Sequence, residues 1–223
     1  VGEQRLIEIT ANPALTGFTA SKILWVRNNQ PEIYAKCAHI LLPKDYVRYM
    51  LTGDFATEVS DASGMQLLDV ANRCWSDELL RAFEIEKNWL GTVYESCEVT
   101  GKLTKCMADE LGLCEGTIVV GGAGDNAAAA VGTGTVGDGM CNISLGTSGT
   151  IFISSDKFGV DENNALHSFA HADGKYHLMG CMLSAASCNK WWMEEILHTQ
   201  EFASEQDGLE SYLGNNEVFF LPY

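Results

Sequence analysis

Gly121-Gly-Ala-Gly-Asp125-Asn126-Ala-Ala-Ala-Ala-Val-Gly132 and, after a Gly-rich link, Ile143-Ser-Leu-Gly146-Thr147-Ser148-Gly149-Thr150 are the segments whose reading decides the fold. Each leaves a short apolar run and breaks into small residues. The first holds one acid, Asp125, which reads as buried among residues small enough to let a ligand approach closely. Asn126 beside it can both donate and accept hydrogen bonds. The second is a turn, Gly146-Thr147-Ser148-Gly149, that offers backbone N–H groups and two hydroxyls to a polyphosphate. A carboxylate near a phosphate-binding turn fits phosphoryl transfer, which demands positioned phosphates, a metal and a proton acceptor more than covalent chemistry. Plainer readings stand beside these: Asp125 as the N-cap of an alanine helix, and Gly146–Gly149 as an ordinary hairpin turn.

Other phosphate patterns fail. Gly122-Ala123-Gly124-Asp125-Asn126-Ala127 matches the loose dinucleotide pattern, but glycines from Gly132 onward end the helix early, and no acid follows the next strand. Neither Gly101-Lys102 nor Gly174-Lys175 is followed by Ser or Thr, so there is no P-loop.

Upstream, the chain reads as helical. Thr19 is placed to cap a helix carrying Ile23, Leu24 and Val26, stopped at Asn28–Pro31. Pro31 opens the next, Glu32 to Ala38, and Lys44 to Leu51 forms another, ended by Thr52-Gly53. Asp61-Ala62-Ser63-Gly64 is a turn candidate, and Ser76 caps a helix to Phe83 with Asp77 and Glu78 in its first turn. Lys102 to Leu111 is helical, Ile118–Val120 a short buried strand. Met140–Leu145 and Thr150–Ser154 read as a hairpin around the Gly146 turn, Leu166–His171 and Tyr176–Met182 as a second around Asp173-Gly174. Ser184 to Leu197 is a helix with Cys188, Trp192 and Ile196 on a core face, and Val218–Leu221 a last strand. Lys44 and Asp45 read as an exposed helix start. His167 and His171 share a strand face near His177, but no Cys or carboxylate has ligand spacing to them, so structural histidines are expected and no metal site is assigned.

With Lys+Arg 14 against Asp+Glu 30, the net charge of −16 and the lack of a basic run exclude nucleic acid and anionic membranes as partners. The eight cysteines show no C-x-x-C spacing, and several sit in apolar runs as small hydrophobes, so a reduced, cytoplasmic protein is expected. The most apolar stretch, Thr117–Val136, is too rich in Gly and carries Asp125, so it is no membrane span.

Further segments complete a pattern: Gly17-Phe-Thr-Ala-Ser-Lys-Ile-Leu-Trp-Val-Arg-Asn-Asn29, Leu41-Leu-Pro-Lys-Asp-Tyr46, Ser60-Asp-Ala-Ser-Gly64, Gly124-Asp-Asn126, Ser144-Leu-Gly-Thr-Ser-Gly149, His167-Ser-Phe-Ala-His-Ala172 and Leu183-Ser-Ala-Ala-Ser187. Together they resemble the FGGY family of carbohydrate kinases over nearly the whole chain. The resemblance implies an α/β, actin-like/Hsp70-like (ribonuclease H-like) fold of two domains, incomplete here. Residues 1–138 would be the later part of the sugar-binding domain and 139–223 the start of the ATP-binding domain, with Gly132–Gly139 crossing between them. It implies Asp125 as catalytic base toward the terminal hydroxyl of a ketopentose, Asn126 as a substrate contact, and Gly146, Thr147, Ser148 and Gly149 as an ATP phosphate motif. ATP and Mg²⁺ are the implied cofactors, a small-molecule sugar and ATP the partners, and a homodimer the family's usual assembly. A kinase with a different ketopentose or a polyol, and a non-catalytic sensor of the same fold, remain alternatives. The family's opening phosphate turn and its adenosine site have no counterpart in the sequence, so the chain reads as a central piece, inactive alone.

Overall fold

The computed structural model describes residues 1–215, 217, 220 and 221. The chain runs α1 (Glu3–Thr10), α2 (Thr19–Asn29), α3 (Pro31–Tyr34), α4 (Pro43–Thr52), β1 (Ala56–Glu58), α5 (Val59–Ala62), β2 (Leu68–Asp69), β3 (Cys74–Trp75), α6 (Asp77–Phe83), β4 (Thr92–Tyr94), β5 (Val99–Lys102), α7 (Lys105–Leu111), β6 (Ile118–Val120) and α8 (Asp125–Gly132). After α8 come β7 (Cys141–Leu145), β8 (Gly149–Ser155), β9 (His167–Ala170), β10 (Tyr176–Met182) and α9 (Ala186–Trp191).

Three two-stranded sheets occupy the first part: β1 parallel to β4, and the antiparallel pairs β2–β3 and β5–β6. The second part is a four-stranded sheet in the order β7-β8-β10-β9, all antiparallel. Leu67, Leu68, Val70 and Ala62, none with any exposure, centre a core completed by Met65, Trp75, Leu80, Ile85 and Leu90. Phe158, Val160 and Tyr176, from the second part, pack against it. Polar contacts tie the two parts as well. Asn12 Nδ2 donates to the Ser168 carbonyl at 2.8 Å, Ser63 Oγ accepts from the Ala170 amide at 3.1 Å, and Tyr176 donates to the Ala71 carbonyl at 3.0 Å.

Both expected hairpins form. Leu145 faces Gly149 across the first turn, and Tyr176 faces Ala170 across the second. Ser76 caps α6 by accepting from the Leu79 amide at 3.3 Å. Other expectations are corrected. Thr19 is the first residue of α2 rather than its cap, which is Phe18 with extended backbone. The helix expected from Lys102 starts at Lys105, capped by Thr104, because Gly101 and Lys102 pair with Val119 and Ile118 in the β5–β6 ladder. Among the described residues nothing covers one face of that pair, so Ile118 and Val120 are 59% and 44% exposed rather than buried. Asp61–Gly64 is no open turn. Glu58 caps α5 with its own carboxylate, and a 3₁₀ turn, Ser63–Met65, continues it. The helix expected over Ser184–Leu197 begins at Ala186 and passes into a π-turn at Trp192–Ile196. This rotates Met193 inward and leaves Trp192 and Ile196 exposed. Six cysteines lie exposed, only Cys37 and Cys188 being partly covered. The strand expected over Val218–Leu221 lies largely outside the described residues.

Candidate active site

Asp125 stands where β6 gives way to α8. The chain leaves the strand at Gly121, whose amide bonds the Glu98 carbonyl at 2.9 Å. It then turns through Gly122 at φ +78°, a left-handed conformation that favours glycine. Gly124 caps α8, so Asp125 is its first helical residue and not its cap. The carboxylate is exposed rather than buried. Its Oδ1 accepts from the Asn126 backbone amide at 2.8 Å and side-chain amide at 3.1 Å, while Oδ2 accepts no bond among the described residues. Asn126 therefore orients the acid and leaves its other oxygen free for a proton.

Asp125 and Asn126 open into a cleft of about 350 Å³. Phe18, Ser60 and Asp61 form one part of its lining, and Phe169, His177 and Met179 of the second sheet another. Both parts of the fold thus contribute. His177 stacks on Phe152 at 4.0 Å between centroids, and burial holds its imidazole neutral, down from 6.5 to about 3. His171, fully buried, makes a 3.1 Å contact with the Thr135 carbonyl and accepts from the Ala172 amide at 2.8 Å through Nδ1. That pattern makes Nε2 the protonated nitrogen of a neutral ring. His167 contacts Asn12 Oδ1 at 3.0 Å. The three histidines are thus held by ring stacking, by backbone groups at His171 and by the Asn12 side chain at His167.

Beneath Asp125 lies a polar cluster that the sequence reading missed. Glu58, with no exposure, accepts from the Ser60 and Asp61 amides at 2.7 and 2.8 Å and from Ser96 Oγ at 2.9 Å. Ser60 donates to Glu58 and accepts from the Gly124 amide at 2.9 Å. Arg48 bonds the Asp45 carboxylate and the carbonyls of Gly121 and Ala56, at 2.7 and 2.6 Å. Lys44 reaches Asp45 at 2.7 Å, Glu58 at 3.3 Å and Asp61 at 3.6 Å. The expected exposed helix start is therefore wrong: Asp45 is 1% exposed and Lys44 is drawn in by the carboxylates around it. Buried acids need such partners, since unpaired charge in a low-dielectric interior is costly. Pro43-Lys44-Asp45 with Arg48 one turn on was the available signal, visible only once β1 and β5 are known to pack on α4.

The Gly146–Gly149 turn is built differently. Its carbonyls are occupied: Thr147 O accepts from the Ala185 amide at 2.8 Å and from Ser187 Oγ at 2.9 Å, and Gly146 O from the Ala186 amide at 2.9 Å. Ser148 Oγ donates to the Leu183 carbonyl at 3.1 Å. The amides of Thr147 and Ser148 donate to no acceptor among the described residues. A turn with spent carbonyls and spare N–H groups fits a phosphate. The turn is not part of the Asp125 cleft. Met179 lines the cleft, whereas Met182, three residues along β10, pairs with Gly149. This places the turn about 10 Å farther along the strand. No group of three or more His, Cys, Asp or Glu that could hold a metal occurs among the described residues. Mg²⁺ commonly keeps several waters and arrives with substrate phosphates, so such a cage is not required of it. Among the described residues, no helix is long and apolar enough to cross a membrane.

Residues 1–132 match the profile of the FGGY family of carbohydrate kinases, N-terminal domain. The chain is 47% identical over 216 residues to a xylulose kinase of Escherichia coli, covering 96% of this chain and 44% of that protein. Among solved structures, a xylulose kinase from Rhodospirillum rubrum superposes with a TM-score of 0.87 at 23% identity, over 95% of this chain and 43% of that one. A Plasmodium falciparum glycerol kinase with ADP superposes with a TM-score of 0.82 at 21% identity, over 95% and 43%. The fold is thus the actin-like kinase fold. The chain spans less than half the length of the curated relatives it matches.

Proposed function

We propose, from the premise that this chain belongs to the FGGY family of carbohydrate kinases, that the protein containing it transfers the terminal phosphoryl group of ATP to O5 of D-xylulose. The observation that carries the reading is the exposed Asp125 carboxylate. One of its oxygens is fixed by Asn126 and the other is free, in a cleft lined from both parts of the fold. The identity with xylulose kinases, 47% and 45% for two of them, favours D-xylulose over other acceptors.

In this reading Asp125 accepts the proton of the sugar's terminal hydroxyl as that oxygen attacks phosphorus. Asn126 holds the acid's orientation and offers its remaining hydrogen-bonding capacity to the sugar. Phe18 and Phe169, at 6.3 Å and edge-on, supply an apolar wall against the carbon skeleton. The Thr147 and Ser148 amides receive phosphate oxygens at the turn. ATP supplies the phosphoryl group, and Mg²⁺ neutralises charge on it. The 10 Å offset between turn and cleft gives the cleft room to hold the sugar ahead of the phosphates. We assign residues 1–138 and 139–223 to two domains joined by the Gly132–Gly139 link, and place the protein in a reducing cytoplasm, in keeping with its free thiols.

The test is a substrate panel. A protein of full family length carrying this sequence is given ATP with D-xylulose, other ketopentoses and polyols, and ADP release is followed. D-Xylulose should give the highest kcat/KM. A polyol or another ketopentose turning over better would replace the substrate assignment, and no ADP with any acceptor would overturn the kinase reading.

A further inference from the structure

Asp61 is the second carboxylate in the Asp125 cleft, and the proton transfer to Asp125 makes no use of it. It sits in α5 against the turn that carries the base: a Cβ built on Gly124 would lie 3.5 Å from Asp61 Cα and 3.6 Å from its Cβ. Among the described residues the only ionic partner of its side chain is Lys44, at 3.6 Å through Oδ2. Lys44 is already held more closely by Asp45 at 2.7 Å and Glu58 at 3.3 Å. Oδ1 accepts no hydrogen bond among the described residues. Three carboxylates, Asp45, Glu58 and Asp61, thus face two cations, Lys44 and Arg48, and the surplus negative charge is the one turned to the cleft. Removal from water raises the Asp61 pKa, Lys44 pulls against the rise, and the neighbouring Glu58 and Asp45 charges add to it. A half-covered carboxylate with a spare oxygen in a cleft seeks hydroxyl or amide donors.

We propose that Asp61 is a sugar-binding residue: its carboxylate accepts hydrogen bonds from hydroxyls of the bound polyhydroxylated substrate and so sets which sugars the cleft takes. This rests on the sugar-kinase reading of the cleft. Asp61 neither takes the transferred proton nor touches phosphate. Its removal therefore reduces sugar affinity and leaves the chemical step and the nucleotide alone. The geometry of α5 serves this role, because Glu58 pins the Asp61 amide at 2.8 Å and the backbone holds the side chain at the cleft edge.

The experiment measures sugar binding by calorimetry, without turnover, in a protein of full family length carrying this sequence. The sugar used is whichever the unmodified protein binds most tightly, beside its singly deoxygenated analogues. At least one deoxy analogue should bind roughly tenfold or more weakly to the unmodified protein, since a hydrogen bond to a charged group is lost. Asp61→Asn should weaken the parent sugar by a similar factor and abolish the penalty for that analogue. The KM for ATP should not change, and kcat should change little. Equal loss for parent and analogue in Asp61→Asn, or an Asp61→Asn protein that melts normally and binds sugar as before, would overturn the proposal. The analogue series on the unmodified protein needs no variant, so it remains decisive if Asp61→Asn fails to fold: no penalty at any hydroxyl would also overturn it. A wild-type protein that prefers a sugar other than D-xylulose changes the substrate assignment but not this test. One that binds no sugar overturns the sugar-kinase reading and Asp61's role together.

Discussion

Ser60 Oγ accepts a hydrogen bond from the Gly124 amide at 2.9 Å while donating to the buried Glu58 carboxylate. The backbone immediately before Asp125 is thereby tied, through one hydroxyl, to the most enclosed acid of the molecule. Ser60→Ala should strip a partner from both groups. A buried donor or acceptor left unsatisfied costs about 1–3 kcal/mol. Chemical denaturation should register a loss of that size. In a protein of full family length, kcat should fall more than sugar affinity, because the turn that aims Asp125 loosens. A variant as stable and as active as its parent would show that the hydroxyl bridge does not position the base.

The buried histidines set a pH dependence. In the unfolded chain His177 binds a proton below about 6.5, whereas in the fold burial delays protonation to about 3. Between those values the unfolded state takes up more protons, so stability is fully present above pH 6.5 and is lost as the pH falls. His167 is shifted in the same direction by burial. His177 alone should contribute about 1.4 kcal/mol per pH unit, about 2 kcal/mol between pH 6.5 and 5. Urea midpoints at pH 7.5, 6 and 5 should show the decline, and His177→Phe, which keeps a ring against Phe152, should flatten much of it. An unchanged slope in that variant would mean His177 is not the group responsible.

The phosphate turn is tested at Gly149. A Cβ there would lie 2.8 Å from the Ala185 Cβ, closer than packed carbons tolerate, and the Ala185–Ser187 segment that occupies the turn's carbonyls would have to retreat. Gly149→Ala should cost about 1–3 kcal/mol in stability. It should raise the KM for ATP while leaving sugar binding in place. Sugar and ATP affinities falling together would place the turn's influence in the cleft itself.

These elements differ in how far the sequence announced them. The β7–β8 and β9–β10 hairpins were legible because alternation and the turns at Gly146–Gly149 and Asp173-Gly174 are local signals, and Ser76 was legible as a cap for the same reason. Asp125 and Asn126 were singled out through small residues and motif resemblance, but the exposure of Asp125 was not legible, since that depends on how β6 ends. The cluster of Lys44, Asp45, Arg48, Glu58 and Ser60 was missed because its members lie on three elements and its partners include the carbonyls of Ala56 and Gly121. Short charged residues after Pro43 look like any solvated first turn. Only tertiary packing turns them inward. Trp192 failed for a local reason: the π-turn at Trp192–Ile196 breaks the 3.6-residue period on which its core placement depended.

The role proposed for Asp125, general base of a sugar kinase, is open to direct measurement. The direct measurement is turnover of Asp125→Asn against the unmodified protein of full family length, with ATP and D-xylulose, alongside calorimetric sugar binding. A fall in kcat of roughly two to four orders of magnitude is expected, the range for loss of a general base, with sugar affinity largely kept. Turnover close to that of the unmodified protein, in a variant that binds sugar normally, would contradict it.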